Sequence, residues 1–234
     1  MLRGLVRAHQ PDCLFLSETK VSEEVVRRKL WALHFYNLVY VAPRGRAGGF
    51  AVAWKNGVII DVVSAGKNVI NCLVSSDPPG LVWLLSGIYG PPVQSDRKNL
   101  WDNFECLSGN FAGPHVIVGD LNSTLEDWET WSRSGHSGAG CSSRAMRELV
   151  LRLGFVDLGA QGPAHTWSGR HHRGVIIHAR LDKALSNVMW KEVFGGATVR
   201  VLPASTSDHL PLLMDTLAES PHQLFYLQLC IVLF

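Results

Sequence analysis

The sequence predicts an α+β fold, and three observations carry that prediction. Two short runs, Cys13-Leu14-Phe15-Leu16 and Val116-Ile117-Val118, are apolar at every position, as strands covered on both faces are. Between them, over residues 38–89, Val-, Ile- and Trp-rich segments broken by Gly and Pro follow one another directly. Such a meander implies antiparallel neighbours rather than the regular alternation of a doubly wound sheet. Segments with helical apolar spacing lie on both sides of it.

Taken in order, Leu2, Leu5 and Val6 keep helical spacing until Pro11. The first apolar strand then delivers Ser17-Glu18-Thr19-Lys20 at its end. Ser22, with Glu23 and Glu24 behind it, opens a helix whose apolar face is Val25, Val26, Leu30 and Leu33. Strands are expected near 38–41, 50–54, 58–63, 69–74 and 81–88. After Pro91-Pro92, a helix over 96–107 carries Leu100, Trp101, Phe104 and Leu107 at helical spacing. The second apolar strand ends at Gly119-Asp120-Leu121-Asn122, and an amphipathic helix over 143–153 stops at Gly154. Short strands near 155–158 and 165–168, a basic loop, a helix over 183–193 and strands near 197–201 and 210–216 complete the pattern. No linker precedes residue 218, so the expected organisation is one domain over 1–218 and an apolar tail over 219–234.

Composition excludes several classes. Of 234 residues, 47% are hydrophobic, and no block of like charge occurs, so a disordered chain is excluded. The 22 glycines and 11 prolines are scattered, which excludes a collagen-like repeat. Lys+Arg 22 against Asp+Glu 20 leaves a net charge of +2, so any nucleic-acid contact must come from a local basic face. The five cysteines are dispersed and lack a CxxC spacing, which argues against a disulfide scaffold or structural zinc and for a reducing compartment. The apolar stretch 224–234 is shorter than the roughly 20 residues needed to cross a bilayer. These features predict an intracellular chain, nuclear or cytoplasmic, with no membrane and no obligate protein partner.

Acidic or amide side chains follow the apolar strands: Glu18 after Leu16, Asp120 and Asn122 after Val118, and Asp208-His209 before Leu210. Strand ends converge at one rim of a sheet, where sites of α/β proteins gather. Converging carboxylates repel unless a cation lies among them, and Mg²⁺ is the hard divalent ion that fits, with Mn²⁺ as a substitute.

Leu16-Ser17-Glu18-Thr19-Lys20, Gly87-Ile88-Tyr89-Gly90-Pro91-Pro92, Gly119-Asp120-Leu121-Asn122, Arg180-Leu181-Asp182-Lys183-Ala184-Leu185 and Ser207-Asp208-His209-Leu210-Pro211-Leu212 occur in that order. Together, over roughly 2–217, they resemble the endonuclease/exonuclease/phosphatase superfamily, and most closely the endonuclease domain of plant LINE-type (non-LTR) retrotransposons. The resemblance implies a deoxyribonuclease-like sandwich of two mixed β-sheets with helices outside, and DNA nicking by metal-assisted attack of water on a phosphodiester. Carried over, Glu18 resembles the metal-ligand glutamate, and Asp208 a second metal-site or leaving-group carboxylate. Asp120 matches the aspartate that orients or deprotonates the water, and Asn122 the amide that holds water and phosphate. His209 matches the histidine donating to a phosphoryl oxygen, Asp182 the aspartate that keeps it protonated, and Tyr89 a tyrosine bonded to the scissile phosphate. The chemistry suits these types: an unperturbed imidazole, with a pKa of about 6.5, is mostly neutral at pH 7, and a paired carboxylate raises its protonated fraction.

Blander readings stand beside these. Glu18 alone is an ordinary exposed carboxylate, Asp120 and Asn122 alone are turn residues, and Asp182 alone is a salt-bridge partner for Arg180 or Lys183. Tyr89 alone is a packing residue. His165, His171, His172 and His178 lie around a basic loop that suits nucleic-acid phosphates better than zinc, with Arg170 and Arg173 as contacts. Arg44 and Arg46 form a second basic loop. Trp54, Trp83, Trp101 and Trp167 are expected in the core.

Two departures from the family pattern bear on activity. Members usually begin with a strand carrying a Trp-Asn-containing segment whose asparagine helps build the site; here the chain starts in the helix that follows, and many relatives outside the plant branch have asparagine at the Pro92 position. A missing first strand leaves its neighbour with unpaired backbone groups, and losing the asparagine costs on the order of 10²–10³ in rate. The apolar tail matches no family segment and is expected either to pack as a makeshift element on the sheet or to be disordered and promote aggregation. The rivals to a nicking endonuclease are a truncated, non-catalytic remnant and a phosphatase for a small phosphorylated ligand.

Overall fold

The computed structural model describes residues 1–43, 48–108, 111–132, 143–170, 174–203, 207–216, 218–220, 223–225 and 227–233; Arg44, Arg46, Arg173, His171 and His172 lie outside them. Two six-stranded mixed sheets pack face to face. The first runs β13 (Thr198–Val201), β14 (Leu212–Asp215), β17 (Gln228–Leu233), β1 (Cys13–Ser17), β3 (Phe50–Trp54), β2 (Asn37–Val41). The second runs β4 (Ile60–Ala65), β5 (Val69–Val74), β6 (Trp83–Tyr89), β7 (His115–Asp120), β12 (Asp182–Asn187), β9 (Phe155–Asp157). A three-stranded sheet, β10 (Trp167–Arg170), β11 (Ile176–Ala179) and β8 (Thr130–Ser132), stands beside the sandwich, and β15 (Ala218–Ser220) pairs with β16 (Gln223–Phe225).

Alternation explains the continuous apolar runs. Cys13 and Phe15 of β1 face the second sheet, while Leu14 and Leu16 face helices α1 (Leu2–His9) and α2 (Glu23–Trp31) through Leu5, Val6, Val26 and Leu30. On the outer side of the second sheet, Ile88, Ile117 and Leu185 meet α3 (Gln94–Asp102), α4 (Phe104–Leu107) and α5 (Arg144–Leu153) through Leu100, Trp101, Phe104, Met146 and Leu149. Ser143 caps α5 by accepting from the Met146 amide at 3.2 Å, and Gly154 ends it in the left-handed region. Between the sheets, Phe15 packs edge-on against Phe50, and α6 (Val188–Val193) closes one end through Trp190, with Phe194 directly after the helix, against Trp83.

The expected helix over 183–193 is half strand. Asp182–Asn187 is β12, paired with β7 and β9, and only Val188–Val193 is helical, with Asn187 accepting from the Trp190 amide at 2.9 Å. Pairing on both edges overrides the helix propensity of Lys183, Ala184 and Leu185. The start of the basic loop expected after residue 168 is strand, since β10 pairs antiparallel with β11, and residues 171–173 of that segment lie outside the described residues; β8 and β11 lay outside the sequence pattern because they are short and only partly covered.

The apolar tail occupies an interior position in the first sheet. β17 runs parallel to β1 and antiparallel to β14, so Ile231 lies between Phe15 and Leu212. β1 therefore has a partner on each edge, β17 and β3. Leu229 and Ile231 face the inter-sheet core, and Cys230 and Val232 face the α1/α2 layer. Thr216 anchors the return, its hydroxyl and amide meeting Leu227 at 2.9–3.3 Å. Because β17 alone joins β13–β14 to β1–β3–β2, Ile231→Ala is expected to cost about 2–5 kcal/mol in urea unfolding. Leu151→Ala, at an 81% exposed helix position, is expected to stay within about 0.5 kcal/mol.

Candidate active site

The C-terminal ends of β1, β6 and β7 and the N-terminal ends of β12 and β14 meet at one rim of the sandwich. There they line a cleft of about 760 Å³ with Glu18, Tyr89, Asp120, Asn122, Asp208 and His209. Asp182 lies buried behind His209. The residues singled out from five separate sequence segments thus come together. Arg170 is exposed at the end of β10 and does not line the cleft.

Backbone geometry at the rim is special. Glu18 and Asn122 both adopt left-handed φ values, +54° and +46°, a conformation costing non-glycine residues about 1–3 kcal/mol and concentrated at functional sites. It turns Glu18 off the end of β1, where Oε1 accepts from the Tyr89 hydroxyl at 2.5 Å and Oε2 pairs with Lys20 at 2.6 Å. Gly90 allows the next approach: a side chain there would meet the Leu121 carbonyl oxygen at 2.3 Å. Across that contact the Gly90 amide donates to the Asp120 carbonyl at 2.7 Å and the Gly90 carbonyl accepts from Asn122 Nδ2 at 2.7 Å. Asn122 Nδ2 also donates to Asp120 Oδ2 at 2.9 Å, and the Asn122 amide to Oδ1 at 2.8 Å. Both side-chain N–H groups of Asn122 are therefore engaged, one on the Gly90 carbonyl and one on Asp120, which leaves its carbonyl oxygen for the cleft.

Asp120 and Asp182 stand opposite each other in the β7–β12 ladder, both about 1% exposed. Burial and the neighbouring Asp182 charge push the Asp120 carboxyl well above the usual range, partly offset by His209. His209 Nδ1 donates to Asp182 Oδ2 at 2.9 Å. Burial lowers the imidazole, but the Asp182 bond and the Asp182, Asp120 and Asp208 charges outweigh it and raise the pKa to about 9. His209 is thus an imidazolium at neutral pH, with Nε2–H left over. Partial burial pushes Glu18 up, yet the Lys20 and Tyr89 bonds more than compensate and hold it below the usual carboxylate range. Tyr89 is pushed far up by burial and by the Glu18 carboxylate, so its phenol keeps its proton and donates.

Residues outside the sequence reading build the support. The Thr166 hydroxyl, fully buried, accepts from the Leu181 and Asp182 amides at 3.1 and 3.0 Å, while its carbonyl accepts from Leu210 at 2.7 Å; it ties the Asp182 and His209 segments together. Trp167, expected in the core, is half-buried at the cleft, where its indole N–H donates to Asp208 Oδ2 at 3.0 Å; Trp54, Trp83 and Trp101 are core residues. Arg97 is buried with its guanidinium on the Pro91 and Pro92 carbonyls, at 3.3 and 2.6 Å, and so shapes the turn after Tyr89. A lone Thr, Trp or Arg has no spacing signature, so only the fold reveals these roles. Asp182 pairs with neither Arg180 nor Lys183, which bond Glu129 and Asp157 instead.

A profile of the Endonuclease/Exonuclease/phosphatase family matches residues 1–209. The chain belongs to that family. Its fold is shared with an AP endonuclease from Archaeoglobus fulgidus (19% identity, 92% of each chain, TM-score 0.66) and with a 3'-5' exonuclease from Neisseria meningitidis (19% identity, 91% of this chain and 92% of that one, TM-score 0.65). The endonuclease domain of TRAS1, a telomere-specific non-LTR retrotransposon, is also similar (13% identity, 87% of this chain and 97% of that one, TM-score 0.57). The fold is therefore the deoxyribonuclease-like two-sheet sandwich, and family membership makes the chain one of a class of nucleases and phosphatases that generally depend on a divalent metal. Among the described residues no helix is long and apolar enough to cross a membrane.

The donor set of this family member suits a hard cation: Glu18, Asp120 and Asp208 offer only oxygens, and the buried Asp182 Oδ1 has no partner. Ligand atoms of Asp120, Asp182 and His209 lie within 4.8 Å of one another. A second position for an ion is the Glu18 side of the cleft, where the Lys20 ammonium pairs with the carboxylate at 2.6 Å.

The His209–Asp182 pair also sets a pH dependence. A folded pKa of about 9 against about 6.5 unfolded means that the stabilisation is complete below pH 6.5 and is lost as pH rises through 9. Asp182→Asn is expected to bring the His209 pKa to about 6.5 or below in an NMR titration, and to flatten the fall in stability over that window.

Proposed function

We propose that the chain is a Mg²⁺-dependent phosphodiester hydrolase that nicks DNA, an endonuclease of LINE retrotransposon type, with residues 1–218 as the catalytic domain and the apolar tail completing its sheet. The observation that carries this reading is an imidazolium, His209, beside a buried carboxylate of raised proton affinity, Asp120, in an open cleft. Those are the two protonation states that attack of water on a phosphodiester needs. Asp120, held by the backbone N–H and one side-chain N–H of Asn122, takes a proton from the water, and the Asn122 side-chain carbonyl oxygen orients that water. Nε2–H of His209 and the Tyr89 hydroxyl donate to the non-bridging phosphoryl oxygens. Glu18 and Asp208 would hold the cation, Mn²⁺ serving in place of Mg²⁺, and when bound it neutralises charge developing on the phosphate and leaving oxygen. Arg170, with Arg44, Arg46 and Arg173 of the loops, supplies phosphate contacts away from the reacting group. Support for DNA as the substrate comes from the nucleases that share the fold.

The test is relaxation of supercoiled plasmid. Mg²⁺-dependent nicking that a chelator abolishes is expected, with Asp120→Asn and His209→Gln each slowing it by about 10²–10⁴. Residual activity equal in the wild type and both variants would identify a non-catalytic member of the family. Release of phosphate from small phosphoesters without nicking would identify a phosphatase.

A further inference from the structure

A second cluster of charged groups lies behind the rim, away from the cleft. Lys183 has no solvent exposure, Glu129 is 1% exposed and Arg180 is 5% exposed. Glu129, at the end of a 3-10 turn (Asp127–Glu129), is the hub. Its Oε2 accepts from the Leu125 and Glu126 amides at 2.6 and 3.3 Å. Its Oε1 accepts from Arg180 Nη1 at 2.9 Å and pairs with Lys183 Nζ at 3.2 Å. The Lys183 ammonium also donates to the carbonyls of Ser123, at 3.2 Å, and of Arg180. Arg180 is held independently by a two-pronged pair with Asp157, at 2.5 and 2.8 Å.

These bonds join two chain segments. One is the loop 121–129, which leaves the sheet directly after Asp120 and carries Asn122; the other is 180–183, which leads into β12 and carries Asp182. The β7–β12 ladder sets Asp120 opposite Asp182 and ends there. Beyond it, one backbone bond links the two segments beside the site, Leu121 N to the Leu181 carbonyl at 3.0 Å. A second, Arg180 N to the Glu129 carbonyl at 2.8 Å, lies at the hub itself. Buried ion pairs contribute little net stability relative to apolar side chains of the same size, since desolvation offsets most of the attraction, whereas their directional bonds restrict geometry.

We propose that Glu129 and Lys183 are positioning residues: their buried pair clamps the Asn122 loop onto the strand end bearing Asp182, and so sets the spacing among Asp120, Asp182 and His209. The inference rests on the hydrolase reading for its kinetic consequence, though not for its structural one.

Glu129→Gln separates the two halves of the clamp. Its carbonyl oxygen still accepts from Leu125 and Glu126, while its NH₂ faces the donors of Arg180 and Lys183 and removes the side-chain link from Glu129 to the strand end, the backbone bonds and the Lys183 bond to the Ser123 carbonyl remaining. Expected are a fall in kcat for plasmid nicking of about 10-fold to 10²-fold with KM unchanged, and a displaced or broadened downfield resonance of the His209 Nδ1 proton at fixed pH. Adding Lys183→Met removes the unpaired ammonium; in the double variant, stability to urea is expected to recover and kcat to remain low. Wild-type kcat and an unmoved His209 resonance in Glu129→Gln would overturn the proposal, as would recovery of kcat in step with stability. A wild-type chain that never nicks DNA would defeat the hydrolase reading alone, because the His209 resonance still reports whether the clamp positions the site.

Discussion

Everything at the rim depends on one buried contact, the bond from His209 Nδ1 to Asp182 Oδ2. Asp120 and Asp182 are forced together by the β7–β12 ladder in a place with almost no water. Two carboxylates cannot both stay ionised there without a positive neighbour. The imidazolium supplies it, and the field of three carboxylates in turn keeps the ring protonated. Removing either partner changes the charge of the other, so the site behaves as one electrostatic unit rather than as a set of separate residues.

That unit is assembled from three backbone segments that are distant in the chain, and hydrogen bonds from neighbouring residues tie each in place. Thr166 joins the amide of Asp182 to the segment carrying His209. Gly90 and Asn122 lock the turn after Tyr89 to the carboxylate of Asp120. Trp167 orients Asp208. Left-handed backbone at Glu18 and Asn122 is the local strain that these ties hold in place.

The sheet behind the rim has an unusual dependence of its own. Glu18 leaves the end of β1, and His209 precedes β14, but the two strands touch only through β17. The apolar tail is thus part of the framework that carries opposite sides of the cleft. The apolar run 229–233 follows from its place: an interior strand with a core on one face and helices on the other is covered on both sides, and the polar Gln228 sits at its half-buried start.

By itself the sequence determined the layered α+β class, most strand and helix positions, and the residues that meet at the cleft. Each of these rests on a local signal: apolar alternation, a capping serine, a terminal glycine, or an ordered set of short motifs around Glu18, Tyr89, Asp120, Asp182 and Asp208-His209. The tertiary structure alone decided that 182–187 is a strand rather than the start of a helix, because pairing on both edges outweighs the propensity of Ala and Leu. It alone decided that the tail enters the first sheet, since strand order depends on contacts between residues more than 200 apart. It alone exposed Thr166, Arg97, Glu129 and Lys183, whose importance comes from the groups they reach when folded. A hydroxyl or an ammonium acquires a role only from its partners, and those partners are brought near by the packing of distant strands, not by neighbours along the chain.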